Sequence, residues 1–217
     1  MTVRLAVFDC DGTLVDGQAP ICDSMEKAFA STGLPAPDRH DVRRIVGLSL
    51  PQAVRLLAPD AEEHLQRHAV EAYKEAFRTC RLEGSLEEPL FEGIAETITG
   101  LAARGWTLGV ATGKSDRGLT SCLAAHGLTE RFVTLQTADR HPSKPHPAML
   151  EAALFEAGAL AGDAVMIGDT TFDMEMARAA GVRAIGVAWG YHTEDELREA
   201  GAVDVAFSPA ELGDLLP

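Results

Sequence analysis

The sequence predicts an α/β fold in which a parallel β-sheet, flanked by helices, carries an all-helical insertion after its first strand. Short apolar runs that are typical of buried strands alternate with helix-like segments over most of the chain. That alternation is the pattern of a parallel sheet with crossover helices. Between residues 17 and 87 the alternation stops, and only helix-like segments follow one another.

The strands of the predicted sheet are six apolar runs. The first is "VRLAVF" at residues 3–8, and the later ones are "WTLGVATG", "FVTLQTAD", "AVMIGDT", "VRAIGVAWG" and "VDVAFS". Helices are predicted between them, for example over residues 115–126 and 147–157. The first of these begins at a capping Ser, the second begins at a Pro, and both end before a Gly.

The insertion contains four helix-like pieces, which read "ICDSMEKAFASTG", "DVRRIVG", "LPQAVRLLA" and "AEEHLQRHAVEAYKEAFRTC". The last piece is long and amphipathic, with an apolar face that includes Leu65, Ala69 and Tyr73. The chain therefore divides into an α/β core of residues 1–16 and 88–217 and a helical domain of residues 17–87. Hinges are expected near residues 14–16 and 87–89.

Charge and hydropathy limit the partners. The 217 residues carry a formal net charge of -14, which disfavours nucleic acid and anionic membranes as partners because both would be repelled. No apolar run approaches the roughly 18 residues of a membrane span, and Asp9 interrupts the first apolar run too early for a signal peptide. We therefore expect a cytoplasmic protein, and nothing in the composition calls for more than a monomer.

Two common kinds of site are excluded. The four cysteines form no C-x-x-C pair and have no histidines at zinc-like spacing, and none is followed six residues later by the arginine that a cysteine phosphatase requires. "GVATGKS" resembles a nucleotide-binding loop, but only three residues separate Gly109 from Gly113, where a Walker loop needs four.

Acidic and polar residues follow the predicted strands where each strand ends. Asp9 and Asp11 follow the first strand, Thr112 and Gly113 end the second, and Asp169 with Asp173 follows the fourth. Lys144 lies after the third strand in "SKPHP". Because ligands of open parallel sheets bind beyond the carboxyl ends of the strands, we expect these side chains to share one site.

The charges of these residues indicate a chemistry. Two carboxylates about 4 Å apart repel by roughly 4 kcal/mol at an effective dielectric constant near 20. A divalent cation removes that repulsion, and all-oxygen ligands favour Mg²⁺. Mg²⁺ and Lys144 together would offset a phosphate dianion, whose oxygens the Thr112 hydroxyl and helix-start amides would hold. The pattern predicts phosphoryl transfer to an aspartate.

Four segments, taken in order, resemble the motifs of the haloacid dehalogenase-like (HAD) hydrolases, which have a Rossmann-like core. They read "FDCDGTLVD", "VATGKS", "SKPHP" and "IGDTTFDMEMA". "PLFEGIAETITGLAARG" further resembles the segment by which that family returns from its cap to its core. The resemblance runs from Val3 to about Gly190.

The resemblance implies a role for each acid. Asp9 would be the nucleophile that becomes phosphorylated, and Asp11 would protonate the leaving oxygen and then deprotonate the attacking water. Asp169, the Asp9 side chain and the Asp11 backbone carbonyl would bind Mg²⁺, with Asp173 supporting them.

The same resemblance implies a phosphate site. Thr112 and the Gly113 amide would bind phosphate, and Lys144 would neutralise charge on the nucleophile and the phosphoryl group. Independent of the family, Thr112 and Asp173 could also serve as ordinary helix-start residues.

The insertion resembles the helical cap of a HAD subgroup that includes phosphoglycolate phosphatases and beta-phosphoglucomutases. The loop "RRIVGLSLPQ" could reach the site, where Arg43 or Arg44 would meet a substrate anion; a solvated basic pair is the alternative. The sequence thus predicts a phosphatase that acts on a small phosphorylated metabolite. A phosphomutase remains open, and a dehalogenase, a phosphonatase with Lys27 or Lys74 in its cap, and a phospho-accepting receiver are weaker alternatives.

Overall fold

A six-stranded parallel sheet forms the centre of the computed structural model, which describes residues 2–217. The strands are β1 (Arg4–Phe8), β2 (Trp106–Thr112), β3 (Thr134–Thr137), β4 (Ala164–Gly168), β5 (Arg183–Val187) and β6 (Asp204–Ala206). Their order across the sheet is β3-β2-β1-β4-β5-β6, and every pair is parallel. The predicted α/β class and the six strand positions are confirmed.

Ten α-helices accompany the sheet within residues 2–217. Four follow β1 directly: α1 (Gln18–Thr32), α2 (Arg39–Arg44), α3 (Leu50–Leu57) and α4 (Glu63–Leu82). The others are α5 (Ile94–Ala103), α6 (Asp116–Ala125), α7 (Ala148–Ala157), α8 (Thr171–Ala179), α9 (Glu194–Ala200) and α10 (Pro209–Leu215). None of the helices described for residues 2–217 combines the length and apolarity that crossing a bilayer requires.

The core lies on both faces of the sheet. Along β1, Phe8 packs with α5, α6 and α10 on one face, and Val7 packs with α7, α8 and α9 on the other. Alternate residues of a strand point to opposite faces, so a strand that is apolar throughout is buried on both sides. Burial of each such large side chain contributes about 1.5–3 kcal/mol, which fixes the strand ends rigidly.

Helices α1–α4 have an apolar cluster of their own, centred on Met25, Phe29 and Val54. The two connections between these helices and the sheet run side by side. The Asp16 N–H donates to the Pro89 carbonyl at 2.8 Å, and Phe91 N–H donates to Leu14 O at 3.1 Å. The hinges predicted near residues 14–16 and 87–89 lie at these paired segments, and the division of the chain at residues 17 and 88 stays a prediction.

Element limits in the insertion differ from the prediction in one informative place. The second helix was predicted over residues 41–47 but spans Arg39–Arg44. It begins earlier because the Asp38 carboxylate accepts the His40 N–H at 2.7 Å and caps the helix. It ends earlier, with Ile45 as its C-cap, and Gly47 has a φ of 96°, a left-handed conformation that a helix does not continue through. Residues 45–49 are therefore a loop.

Candidate active site

The carboxyl edge of the sheet brings the predicted acids together. β1 and β4 are neighbours, with Phe8 opposite Ile167, although about 160 residues separate them along the chain. The Asp9 N–H donates to Ile167 O at 2.8 Å and continues this pairing. Strand order reverses between β1 and β4, and the crevice at such a reversal is where α/β sheets bind ligands. Asp9 and Asp169 stand at that point.

Three carboxylates form a tight, buried cluster. Oxygens of Asp9, Asp169 and Asp173 lie within 4.8 Å of one another, and all three residues have 0 % exposure. Burial raises the pKa of Asp9 to about 7, an effect that Lys144 opposes and Asp173 adds to. Burial, followed by Asp9 and Asp173, also raises the pKa of Asp169 well above its ordinary value. The cluster needs positive charge to stay ionised.

Lys144 supplies one positive charge. It is fully buried, and its Nζ lies 2.6 Å from Asp173 Oδ1 and 3.0 Å from Asp9 Oδ2. Burial lowers the pKa of this lysine, but attraction to Asp173 and then Asp9 outweighs burial, and the net pKa lies above the usual value. The ammonium ion is therefore retained at neutral pH.

The donor set fits a divalent cation. The Asp9 Oδ2 atom lies 3.0 Å from Lys144 Nζ but accepts no hydrogen bond from residues 2–217. Its lone pairs are thus free to coordinate, and carboxylate oxygens are the donors that Mg²⁺ prefers. Three acids facing one lysine also leave negative charge that a cation would offset.

Two further groups hold Asp169 in place. Thr13 Oγ1 donates to Asp169 Oδ1 at 2.8 Å, and the Tyr191 N–H donates to Asp169 Oδ2 at 3.0 Å. Gly12 has a φ of 79°, and any Cβ there would overlap Asp169 and Tyr191. Thr13 lies inside the motif "FDCDGTLVD", whereas no signal in the sequence indicated Tyr191.

Asp11 is turned toward a second lysine. Its Oδ1 lies 2.9 Å from the Nζ of Lys114, which also contacts Glu88 Oε1 at 2.6 Å. All three side chains are at least nine-tenths buried. Burial raises the pKa of Asp11, Lys114 lowers it and Glu88 raises it, with a net upward shift. A carboxyl group with a raised pKa is suited to donating a proton.

Sequence reasoning did not assign a role to Lys114 or Glu88. Lys114 follows directly on the predicted phosphate-binding pair, and its position at the same sheet edge was the available signal. Glu88 lies on the segment that returns from the helical insertion. Its proximity to Asp11 depends on how that segment pairs with residues 14–16, which no local pattern encodes.

The predicted phosphate site lies at the end of β2. Thr112 is 1 % exposed, and its Oγ1 accepts the Lys114 N–H at 3.2 Å. At Gly113 a Cβ would lie 2.5 Å from Leu48 O and 2.6 Å from Gly47 O. Only glycine therefore allows loop 45–49 to pack this closely over the end of β2.

Arg43 and Arg44 are held elsewhere. The Arg44 guanidinium makes a bidentate pair with Glu196 at 2.6 and 3.0 Å, and Arg43 donates to Gln18 Oε1 at 3.2 Å. Within residues 2–217, neither guanidinium contacts the carboxylate cluster. In this conformation Arg44 ties loop 45–49 to helix α9, and its predicted contact with a substrate anion stays a prediction.

A cavity of about 670 Å³ opens from the site between the helical insertion and the core. Its wall includes Asp11, Gly113 and Lys114 from the core and Leu48, Tyr73 and Phe77 from the insertion. Cavities of this size hold small molecules. The arrangement can thus bind a phosphate at one end and the rest of a substrate in the cavity.

Comparison with known proteins gives the same family that the motifs indicated. The chain is 39% identical over 201 residues to a protein of Dickeya dadantii named probable phosphatase IndB, covering 90% of this chain and 86% of that protein. It is 31% identical over 222 residues to a phosphoglycolate phosphatase of Rhodospirillum rubrum, covering 98% and 90%.

Solved structures agree in fold. A predicted phosphatase from Clostridium acetobutylicum superposes with a TM-score of 0.89 at 25% identity, covering 100% of this chain and 99% of that one. The chain also matches the family described as haloacid dehalogenase-like hydrolase over residues 6–187. Since that match covers most of the chain, the protein belongs to the haloacid dehalogenase-like hydrolase family.

Proposed function

We propose that this protein is a magnesium-dependent phosphatase that hydrolyses a small phosphate monoester through an aspartyl-phosphate on Asp9. The observation that carries the proposal is the buried Asp9 carboxylate, placed beside Asp169, Asp173 and Lys144 at the reversal point of the sheet. Relatives named as phosphatases support the reaction type. A bound Mg²⁺, held by Asp9, Asp169 and the Asp11 backbone carbonyl with support from Asp173, would supply charge neutralisation.

The first half-reaction uses two neighbouring acids. An oxygen of Asp9 forms a bond to phosphorus while the bond from phosphorus to the leaving oxygen breaks. Asp11, in its neutral form, gives its proton to that leaving oxygen. Burial is the main cause of the raised pKa of Asp11, and a raised pKa favours the neutral form that can donate this proton. Thr112, the Gly113 amide and Lys144 would hold the phosphoryl oxygens during transfer.

The second half-reaction returns the enzyme to its starting state. Asp11, now ionised, takes a proton from a water molecule whose oxygen attacks phosphorus. The bond between phosphorus and Asp9 breaks, and inorganic phosphate is released. Loop 45–49, packed over Gly113, would exclude bulk water during the first half-reaction.

A phosphonatase is disfavoured by the cap lysines. Lys27 is exposed, and Lys74 pairs with Glu71 at 2.7 Å with 57% of its side chain exposed. Neither contacts Asp9 or Asp11 within residues 2–217. A dehalogenase that works without a metal is also disfavoured, because the cluster of Asp9, Asp169 and Asp173 needs a cation to offset its negative charge.

We propose further that the protein works in the cytoplasm as a monomer. The net charge of -14 opposes binding to nucleic acid and to anionic membranes.

Phosphate release from a panel of metabolite esters, measured with MgCl₂, tests the proposed reaction. We expect turnover of at least one ester, loss of activity with EDTA, and a loss of more than about a thousandfold in Asp9→Asn. Asp214→Asn, a change of the same type at an exposed position, should retain activity. Equal hydrolysis by wild type and Asp9→Asn would overturn the assignment of the nucleophile.

A further inference from the structure

Residues 190–192 follow β5 and pack directly against Asp169. The Tyr191 N–H donates to Asp169 Oδ2 at 3.0 Å, and the His192 N–H donates to Asp169 O at 3.2 Å. At Gly190 a Cβ would lie 2.2 Å from Asp169 Cβ, so a glycine is what allows this close approach. The position of residues 190–192 therefore constrains where the Asp169 carboxylate lies.

Tyr191 and His192 also contact the helical insertion. The Tyr191 ring packs against the apolar cluster of the insertion, and the Tyr191 carbonyl accepts an N–H of the Arg44 guanidinium at 3.4 Å. His192 Nδ1 accepts the Thr171 N–H at 3.1 Å. The ring proton of His192 is therefore on Nε2, which donates to the Arg44 carbonyl at 3.0 Å. Both residues thus join the insertion to a carboxylate of the cation cluster.

The Tyr191 hydroxyl takes no part in these contacts. Its oxygen is buried and has no hydrogen-bond partner among residues 2–217. A buried polar group without a partner is costly, so the hydroxyl does not hold the ring in place. Two other parts of Tyr191 make the contacts: the apolar ring faces the insertion, and the backbone N–H faces Asp169.

We propose that Tyr191 is a positioning residue, through which the helical insertion sets the orientation of the Asp169 carboxylate and with it the affinity of the site for its cation. This inference rests on the proposed cation site. Removing a group that orients a metal ligand typically weakens metal binding by about 10- to 100-fold. Because coupling between two sites is reciprocal, a bound cation should also hold the insertion more firmly against the core.

Calorimetric titration with MgCl₂, without substrate, measures this affinity directly. Tyr191→Ala keeps the backbone N–H but removes the ring from the insertion cluster, and we expect it to weaken Mg²⁺ binding by about tenfold. Tyr191→Phe keeps the ring and loses only the unpartnered hydroxyl, so it should bind Mg²⁺ as wild type does. Equal affinities of wild type and Tyr191→Ala, with circular dichroism showing that the variant is folded, would overturn the inference.

Arg44→Met tests the coupling from the side of the insertion and does not depend on the folding of Tyr191→Ala. It removes the guanidinium that contacts Tyr191 O and Glu196. On charge alone, loss of a cation should tighten Mg²⁺ binding, whereas loss of positioning should weaken it; we expect it to weaken by about fivefold. Arg198→Met, the matched control, removes a guanidinium that pairs with Glu194 on α9 and should not weaken Mg²⁺ binding. Unchanged or tighter binding by Arg44→Met would also overturn the inference.

Amide hydrogen exchange in loop 45–49 measures the reverse effect. MgCl₂ should slow exchange in wild type and in Tyr191→Phe, and should slow it less in Tyr191→Ala. Exchange that responds equally to MgCl₂ in wild type and Tyr191→Ala would contradict the coupling.

None of these measurements needs turnover, which separates this inference from the proposed reaction. Weaker Mg²⁺ binding by Tyr191→Ala and Arg44→Met supports the inference even if no ester is hydrolysed, in which case only the reaction is wrong. Hydrolysis that requires Mg²⁺ and Asp9, with no change of affinity in either variant, overturns the inference and leaves the reaction intact. Absence of Mg²⁺ binding by wild type would overturn both.

Discussion

Replacing Lys144 with Met removes the ammonium group that contacts both Asp9 and Asp173. Met has a similar length and fills irregular space, so the change is mainly one of charge. At an effective dielectric constant near 20, each contact at 2.6 and 3.0 Å is worth about 5–6 kcal/mol of attraction. Desolvation offsets much of this attraction, and removing one partner of a buried pair costs about 3–5 kcal/mol. We expect that loss in the free energy of unfolding of the metal-free protein.

Urea denaturation followed by circular dichroism measures the effect, first in EDTA and then in MgCl₂. The Lys144→Met deficit should shrink in MgCl₂, because the carboxylates of the variant carry one more unbalanced negative charge and should bind the cation more tightly than those of wild type. Lys27→Met, at an exposed position of α1, should change stability by no more than about 0.5 kcal/mol. A Lys144→Met loss below about 1 kcal/mol in EDTA would refute the reasoning. Buried carboxylates without a positive partner should lower the free energy of unfolding by more than that.

Two predictions concern the loop over the site. Gly113→Ala would place its Cβ 2.5 Å from the backbone oxygen of Leu48, so the loop must move, and kcat/KM should fall at least about tenfold. Gly162→Ala, whose Cβ would meet nothing within 4 Å, should leave the kinetics unchanged. The Thr193 N–H, and next Arg44, lower the pKa of Glu196 from 4.5 to about 2. Glu196→Gln should therefore be less stable than wild type above about pH 5, and urea titrations should show the difference disappearing as the pH falls from 4.5 to 2; a constant difference would contradict this.

The sequence was sufficient to locate the carboxylate cluster because parallel strands end at a common edge. Asp9 and Asp169 follow two apolar runs, and their meeting requires only that those runs be strands of one parallel sheet. Lys144 follows from the same rule, since it lies after β3 at that edge. These predictions depend on topology, which short-range patterns specify well.

The sequence could not predict which side chains pair between the helical insertion, its return segment and the core. The contact of Lys114 with Glu88 joins residues 26 apart in sequence, and the pair of Arg44 with Glu196 joins residues 152 apart. Both depend on rotamers and on how the insertion settles on the core. The basic pair in "RRIVG" predicted an anion partner, but an acid of the chain itself occupies Arg44 in this conformation.

Five carboxyl groups surround two buried lysines at the rim: Asp9, Asp11, Glu88, Asp169 and Asp173 around Lys114 and Lys144. Each lysine contacts a different pair of acids: Lys144 contacts Asp9 and Asp173, and Lys114 contacts Asp11 and Glu88. Burial raises the pKa of Asp9 to about 7, and Lys144 opposes that rise. Burial raises the pKa of Asp11, Lys114 lowers it, and Glu88, which contacts the same ammonium group, raises it again. A cation bound at the Asp9 carboxylate would lower the pKa of Asp9 further. The two acids would then hold different protonation states, which is the condition for one to attack while the other donates a proton.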